Sequence, residues 1–281
     1  MSDMAAPDRA LRRRRLVPFE LGAGLAIIAG WLALALAAPL VAGADPNAID
    51  LLAILTPPSA EHPFGTDHLG RDVLARVIHG ARIDIWMGVM GVLPPMVIGI
   101  TIGLLSGYIG GLFDTVMMRI VDITVAFPFF VLVIAIVGML GPGLLNYFIA
   151  LALVAWVAYA RLVRAEVLVI KNAEYVLAAR TLGYGPIVIA LRHVLPNAIA
   201  PVAVYAMTDA VLVILAGASL GFLGLGAQPP TAEWGVMIAD GQPYVVDAWW
   251  ICFFPGLAAM TLGLGFVLTS DGLARLLRVA T

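Results

Sequence analysis

Long apolar runs separated by polar stretches dominate the pattern along this chain. Five windows carry no Asp, Glu, Lys or Arg: Leu21–Val41, Trp86–Ile109, Ile123–Ala160, Ala210–Thr231 and Ala248–Ser270. A helix needs ~20 mostly apolar residues to cross a bilayer. The third window is long enough for two helices, and Gly141-Pro142-Gly143 marks a turn between them. Ala198–Thr208 extends the fourth window backwards. The pattern predicts an all-α polytopic membrane protein with one transmembrane domain, 18–281, behind a basic tail, 1–17. Its six spanning helices fall at about 18–42, 86–109, 117–140, 144–161, 198–225 and 248–269. Three long polar segments remain, 43–85, 162–197 and 226–247.

Composition agrees with a membrane solvent. Of 281 residues, 62% are hydrophobic and 12% charged, about half the charge of a soluble domain. The net charge of −2 gives no reason to expect a nucleic-acid partner. The one cysteine, Cys252, excludes an internal disulfide and reads as a small core residue. Arg12-Arg13-Arg14-Arg15 precede an apolar run too long for the core of a signal peptide, so the first helix is expected to stay as an anchor. With the N-terminus inside and six crossings, Arg71, Arg76 and Arg82 are the only Lys or Arg residues left outside. The positive-inside rule therefore places both termini and the segment 162–197 in the cytoplasm, with 43–85 and 226–247 facing outward.

The segment 172–197 is the most informative polar island. Asn172 is expected to cap a helix that begins at Glu174, where the dipole favours an acid. Gly183 suits the position just past its end. Tyr184-Gly185 turns the chain, and Pro186 suits the first turn of a second helix running to about Leu195. Ala178 and Ala179 suggest a flat face open to close approach. From the residues alone, an ordinary amphipathic interfacial pair is the safer reading.

The motifs add to this. Ala178-Ala179, Gly183 and Leu195-Pro196 fall in register with the coupling loop of ABC importer permeases, with Leu177 and His193 departing from its general form. Glu174-Tyr175-Val176, Ala178-Ala179-Arg180, Gly183 and Arg192-His193-Val194-Leu195-Pro196-Asn197 match the version in peptide permeases. His62–Gly88 and Leu220–Met237 resemble the same branch, the second permease of dipeptide and oligopeptide importers, which nickel importers share. The three stretches cover about a quarter of the chain. Gly217, where relatives often carry an acid, and the ending Arg278-Val279-Ala280-Thr281 depart from the family pattern.

The resemblance implies a type I importer permease in a bacterial inner membrane. It implies a homologous second permease chain, two ATP-binding subunits, an external solute-binding protein and a peptide cargo. Glu174, Tyr175, Ala178, Ala179, Arg180, Gly183, Arg192, His193 and Pro196 would form the seat of an ATPase subunit. The chain's one lysine, Lys171, is followed by Asn172, so it has no G-x-x-x-x-G-K-[ST] loop. It is expected to bind no cofactor and catalyse nothing, with ATP and magnesium held by the partner subunits.

Several other features carry weaker expectations. Asp209 lies about twelve residues into the fifth helix, ~17 Å at 1.5 Å per residue, near mid-membrane. It reads equally as lining a cargo path near a peptide's amino group and as a structural acid at a subunit interface. Asp122 is expected to pair with Arg119. His62, Asp67, His68, Asp72 and His79 are ligand types in no standard metal spacing, and Arg71 and Asp72 are expected to cap or pair locally. Glu233 and Trp234 read as an interfacial anchor first; with Arg71 and Asp72 they are candidates for docking the binding protein. Gly217-Ala218-Ser219-Leu220-Gly221 fits the hydrolase G-x-S-x-G pattern, but a membrane helix lacks the strand–turn–helix setting it needs. The competing readings are a nickel- or glutathione-type permease, an ion-coupled secondary transporter and an intramembrane hydrolase.

Overall fold

The computed structural model describes residues 18–41, 43 and 45–277. The basic tail at 1–17, and Arg278 to Thr281, lie outside the described residues. The described residues contain no strand, only one isolated bridge between Thr66 and Asp72. The helices are α1 Phe19–Val41, α2 Val73–Ile109, α3 Gly111–Val125, α4 Phe129–Leu140, α5 Leu144–Val154, α6 Trp156–Ile170, α7 Glu174–Thr181, α8 Pro186–Ile189, α9 Leu195–Phe222, α10 Trp234–Gly241 and α11 Trp250–Leu277. A π turn, Ala190–Val194, joins α8 to α9.

Five helical stretches are long and apolar enough to span a membrane: α1, α2, α5–α6, α8–α9 and α11. The α3–α4 pair reaches that length and apolarity only together, with a bend of 88° between its halves, the geometry of a broken span or of a re-entrant loop. Five of the six expected spans are unbroken stretches, and several expected boundaries move, the last helix running on from 269 to Leu277.

The second helix starts at Val73, not near 86. Asp72 caps it, accepting the N–H of Ala75 at 2.8 Å. Arg76 and Arg82 continue this helix because both are satisfied from within the chain: Arg76 donates to the Pro46 carbonyl at 3.1 Å, and Arg82 to the carbonyls of Ala35 and Leu36. A search for charge-free windows stops at them.

The expected helix 117–140 starts earlier, at Gly111, and is broken. Pro128 has no N–H to give and restricts Phe127 before it, so α3 ends and α4 restarts at an angle. The expected helix 144–161 runs on to Ile170, carrying Arg161 and Arg164 on its surface. The second loop helix does not stop before Pro196 but passes through the π turn into α9 as one 37-residue run. Leu195 donates to Ala190, five residues back. The widened turn leaves the His193 carbonyl to the side-chain amide of Asn197, at 2.8 Å.

Two seams hold the bundle. Along α2, Gly99, Gly103 and Gly107 lie against α6, where a Cβ would meet the Trp156 carbonyl at 2.5 Å, the Ala160 carbonyl at 2.6 Å and Val167 at 2.8 Å. Small residues at four-residue spacing let two membrane helices approach backbone to backbone. The second seam pairs α1 with α11 antiparallel: Trp31 donates to Thr261 at 3.1 Å, and Arg275 binds Glu20 at 2.6 Å. The start of α1 and the end of α11 thus meet at one end of the bundle. Trp250, at the start of α11, donates to Thr66 at the other end, where α2 begins and α10 sits.

Candidate functional site

At the end of the bundle where α6 stops, the chain makes a short helix, a turn and a return. Lys171 donates to the Gly107 carbonyl at 2.7 Å, closing the last turn of α2 with a cation. Asn172 does not cap α7: its amide turns back to the Leu168 carbonyl at 3.0 Å, and Ala173 stands at the cap with no side-chain bond. Glu174 and Arg180 occupy the first and last turns of α7, each at the favourable end of its dipole.

Gly183 has φ +84°. Its N–H donates to Arg180 at 3.0 Å, and that of Tyr184 to Ala179 at 3.2 Å. This is the complete Schellman pair, which needs a left-handed residue between its two bonds. The turn brings the Tyr184 ring edge-on to His193, 5.8 Å between centroids, while Arg180 lies 6.0 Å over the ring of Tyr108 at the end of α2. The return is therefore tied to both α2 and α9.

The expected flat alanine face is split. Ala179 points inward with Val176, whereas Ala178 is exposed. The outward surface also carries Glu174, Tyr175, Leu177, Arg180 and Arg192, with Pro196 exposed at the start of α9. Its crest is apolar: Leu182 is 78% and Ile187 72% exposed, beside Tyr184, Val188 and Leu191. Leu177, the departure from the motif, lies on this uncovered face. An exposed apolar crest of this kind is the surface pattern of an interaction site, with a protein or with a membrane.

A second feature lies between the spans. The α3–α4 bend, the start of α6 and the middle of α9 line a half-open cavity of about 820 Å³. Asp209 lines it together with Tyr205, Arg161, Ser219, Phe127 and Phe130. Tyr159, buried on α6, donates its O–H to Asp209 Oδ2 at 2.7 Å. No pattern in the sequence marks Tyr159, which lies within an apolar run. Asp122 pairs with Arg161 across helices, at 2.9 Å, rather than with Arg119. Arg164 holds Asp114 with two bonds, one of them 2.7 Å.

Ser219 donates to the Leu215 carbonyl one turn back, as serines inside helices do. The strand–turn–helix setting of a hydrolase nucleophile is absent from the described residues. Gly217 packs against the tip of Met87 and the ring of Tyr147, so a side chain added there requires the Met87 methyl to move aside.

At the opposite end, the segments 45–72 and 226–249 fold over the bundle. Asp67 binds Arg71 at 2.6 Å and lies 3.7 Å from Arg76, all three buried. Removing one partner from such a group typically costs ~3–5 kcal/mol. His62 pairs with Asp72, His68 stacks on Tyr244, and His79 contacts the Ala75 carbonyl. No three metal-ligating groups converge among the described residues.

Glu233 and Trp234 are fully buried, not interfacial. Trp234 donates its ring N–H to the Val77 carbonyl at 3.0 Å and packs edge-on against Trp31. Glu233 caps α10, accepting the N–H groups of Gly235 and Val236, each at 2.8 Å. Arg71, Glu233 and Trp234 thus point into the chain and cannot touch a docked protein directly; only Asp72 of the four retains partial exposure. They shape the segment from inside, because their polar atoms found partners within the fold.

Burial raises the Glu233 carboxyl above its ordinary range, against the pull of its two backbone donors. Asp84 adds a second buried carboxyl, accepting the N–H of Trp234 at 3.3 Å. An acid with a raised folded pKa contributes stability that is full below its unfolded pKa and is lost as pH rises through the folded one. Glu233→Gln is therefore expected to flatten the fall in Tm from mildly acidic to neutral pH, read by thermal unfolding of the purified protein. An unchanged slope would assign that dependence elsewhere.

Known proteins resemble most of this chain in sequence. Residues 99–279 match the family described as binding-protein-dependent transport system inner membrane component. A probable D,D-dipeptide transport system permease protein of Escherichia coli strain K12 is 45% identical over 251 residues, covering 89% of this chain and 84% of that protein. A di/tripeptide transport system permease protein of Pseudomonas aeruginosa strain UCBPP-PA14 is 44% identical over 245 residues, covering 85% and 81%. A glutathione transport system permease protein of Pectobacterium atrosepticum is 42% identical over 216 residues, covering 77% and 72%.

Proposed function

This chain belongs to the family of binding-protein-dependent transport system inner membrane components, and from that premise we propose that it is one permease subunit of an ATP-driven importer of di- and oligopeptides. The observation that carries this reading is the apolar crest around Gly183, on a turn tied to both α2 and α9. Such a crest gives an ATP-binding subunit something to hold. The α8–α9 run gives motion at that crest a route into the membrane, because one continuous helix connects Pro186 with Asp209. Rigid elements with two arrangements are what carry coupling over such distances.

The chain supplies no phosphate-binding loop, so ATP and magnesium belong to two partner subunits. A second, homologous permease completes the path, and a solute-binding protein delivers cargo at the α10 end. The loop 172–197 and both termini face the cytoplasm, as the charge distribution favours. Names of the relatives support a peptide cargo. Glutathione, itself a small peptide, is the second reading, favoured by one relative.

The test is co-expression with candidate ATP-binding, permease and binding-protein partners. The complex is expected to purify intact and to accumulate labelled dipeptide in proteoliposomes only with ATP inside the compartment facing the loop. Uptake driven by an ion gradient with no ATPase subunit present would sink the assignment.

A further inference from the structure

The cavity behind the α3–α4 bend lies further along the α8–α9 run than the loop, and its one acid lacks a cation. Asp209 is only 7% exposed. Its Oδ2 is held by Tyr159, whose ring is in turn buttressed edge-on by Tyr205 at 5.0 Å. Oδ1 receives no hydrogen bond from the described residues. Arg161, the one cation in the lining, is already paired with Asp122 at 2.9 Å and forms no ion pair with Asp209. The remaining lining is largely apolar, with Phe127, Phe129 and Phe130 on the side of the bend. A carboxyl whose second oxygen opens on a cavity, with no cation of the described residues bonded to it, can take a positive partner.

We propose that Asp209 receives the α-ammonium group of a peptide in transit, through Oδ1, while the phenylalanines at the bend contact its apolar side chains. This rests on the peptide-importer reading above. A metal ion fits poorly, since hard cations need several oxygen ligands and a single carboxylate stands here. An organic ammonium fits well. Its N–H groups donate a charge-assisted bond to Oδ1, aromatic faces attract its charge, and its apolar body matches the rest of the wall. A volume of about 820 Å³ is ample for a dipeptide and lies within the ~300–1,000 Å³ usual for ligand cavities. Tyr159 is a positioning residue: its hydroxyl fixes one oxygen and leaves the other for cargo.

The test uses the purified full complex without its binding protein, so that delivery does not mask the permease's own preference. Saturation-transfer NMR compares alanyl-phenylalanine with its N-acetyl form. The wild type is expected to bind the free amine about tenfold more tightly, the scale of one hydrogen bond to a charged group. Asp209→Asn is expected to erase the difference and Asp209→Glu to restore part of it, with all partner chains still co-purifying. Equal binding of both peptides by the wild type would overturn the site, as would an unchanged preference in Asp209→Asn. Loss of the second permease from Asp209→Asn would assign the acid to the subunit interface instead. Failure of wild-type proteoliposomes to take up any dipeptide would overturn the peptide reading itself; uptake without an amine preference overturns only the site.

Discussion

A tryptophan in place of Gly183 is expected to abolish ATP-driven uptake while leaving the chain in the membrane. Nothing lies within 4 Å of a Cβ built at this glycine, so the change meets no obstacle inside the chain. The backbone cost is modest, since φ +84° penalises any residue with a Cβ by about 1–2 kcal/mol. What changes is the crest, where an indole would stand between Leu182 and Tyr184 in the path of a partner. Disrupting the centre of an interface commonly costs roughly 2 kcal/mol or more, about thirtyfold in affinity. Co-purification of ATP-binding subunits and uptake per ATP hydrolysed are the two readouts. Gly183→Ala separates the causes, because it carries the backbone penalty without the bulk and should retain most coupling. Wild-type coupled transport by Gly183→Trp would refute the loop assignment.

Gly103→Leu is expected to remove the folded protein altogether. A Cβ there would sit 2.6 Å from the Ala160 carbonyl, an atom of the α6 backbone that cannot swing aside. Gly99 and Gly107 hold the same seam one turn away on either side, so the helices cannot part locally. Overpacking a core usually costs about 1–3 kcal/mol. Here the separation would forfeit contact along the whole seam, and loss of monodisperse protein on detergent extraction is the expected outcome. Gly103→Ala, adding one methyl, should give an intermediate Tm. An unaltered Tm for Gly103→Leu would mean that α2 and α6 do not pack as described.

These two glycines differ in how far the sequence announces them. Gly183 sits between Arg180 and Pro186 in a polar stretch, where punctuation rules apply directly. Gly103 is one of several glycines in an apolar helix, and only the approach of α6 singles it out. The same contrast runs through the charged residues. Glu174 follows from the dipole rule and stands where that rule puts it. Asn172 and Asp122 follow from equally local rules and stand elsewhere, because Leu168 and Arg161 offered partners of the same kind. Glu233 and Trp234 looked like a wet rim and are buried, since their polar atoms are met by Gly235, Val236 and Val77 inside the fold.

The pattern of apolar runs by itself determined the class and set the polar loop apart from the long helices. Each follows from the cost of exposing polar groups to lipid, which every residue bears independently of its neighbours. The motif around Gly183 was equally legible, because a left-handed cap is a local demand. Only the tertiary structure decided where helices begin and bend, since Arg76 and Arg82 remain helical by virtue of carbonyls far away in the chain. It alone decided which oxygen of Asp209 is free, because that depends on Tyr159, fifty residues distant. The apolar crest, too, emerges only after folding has chosen which of Val176, Leu177, Ala178 and Ala179 to cover.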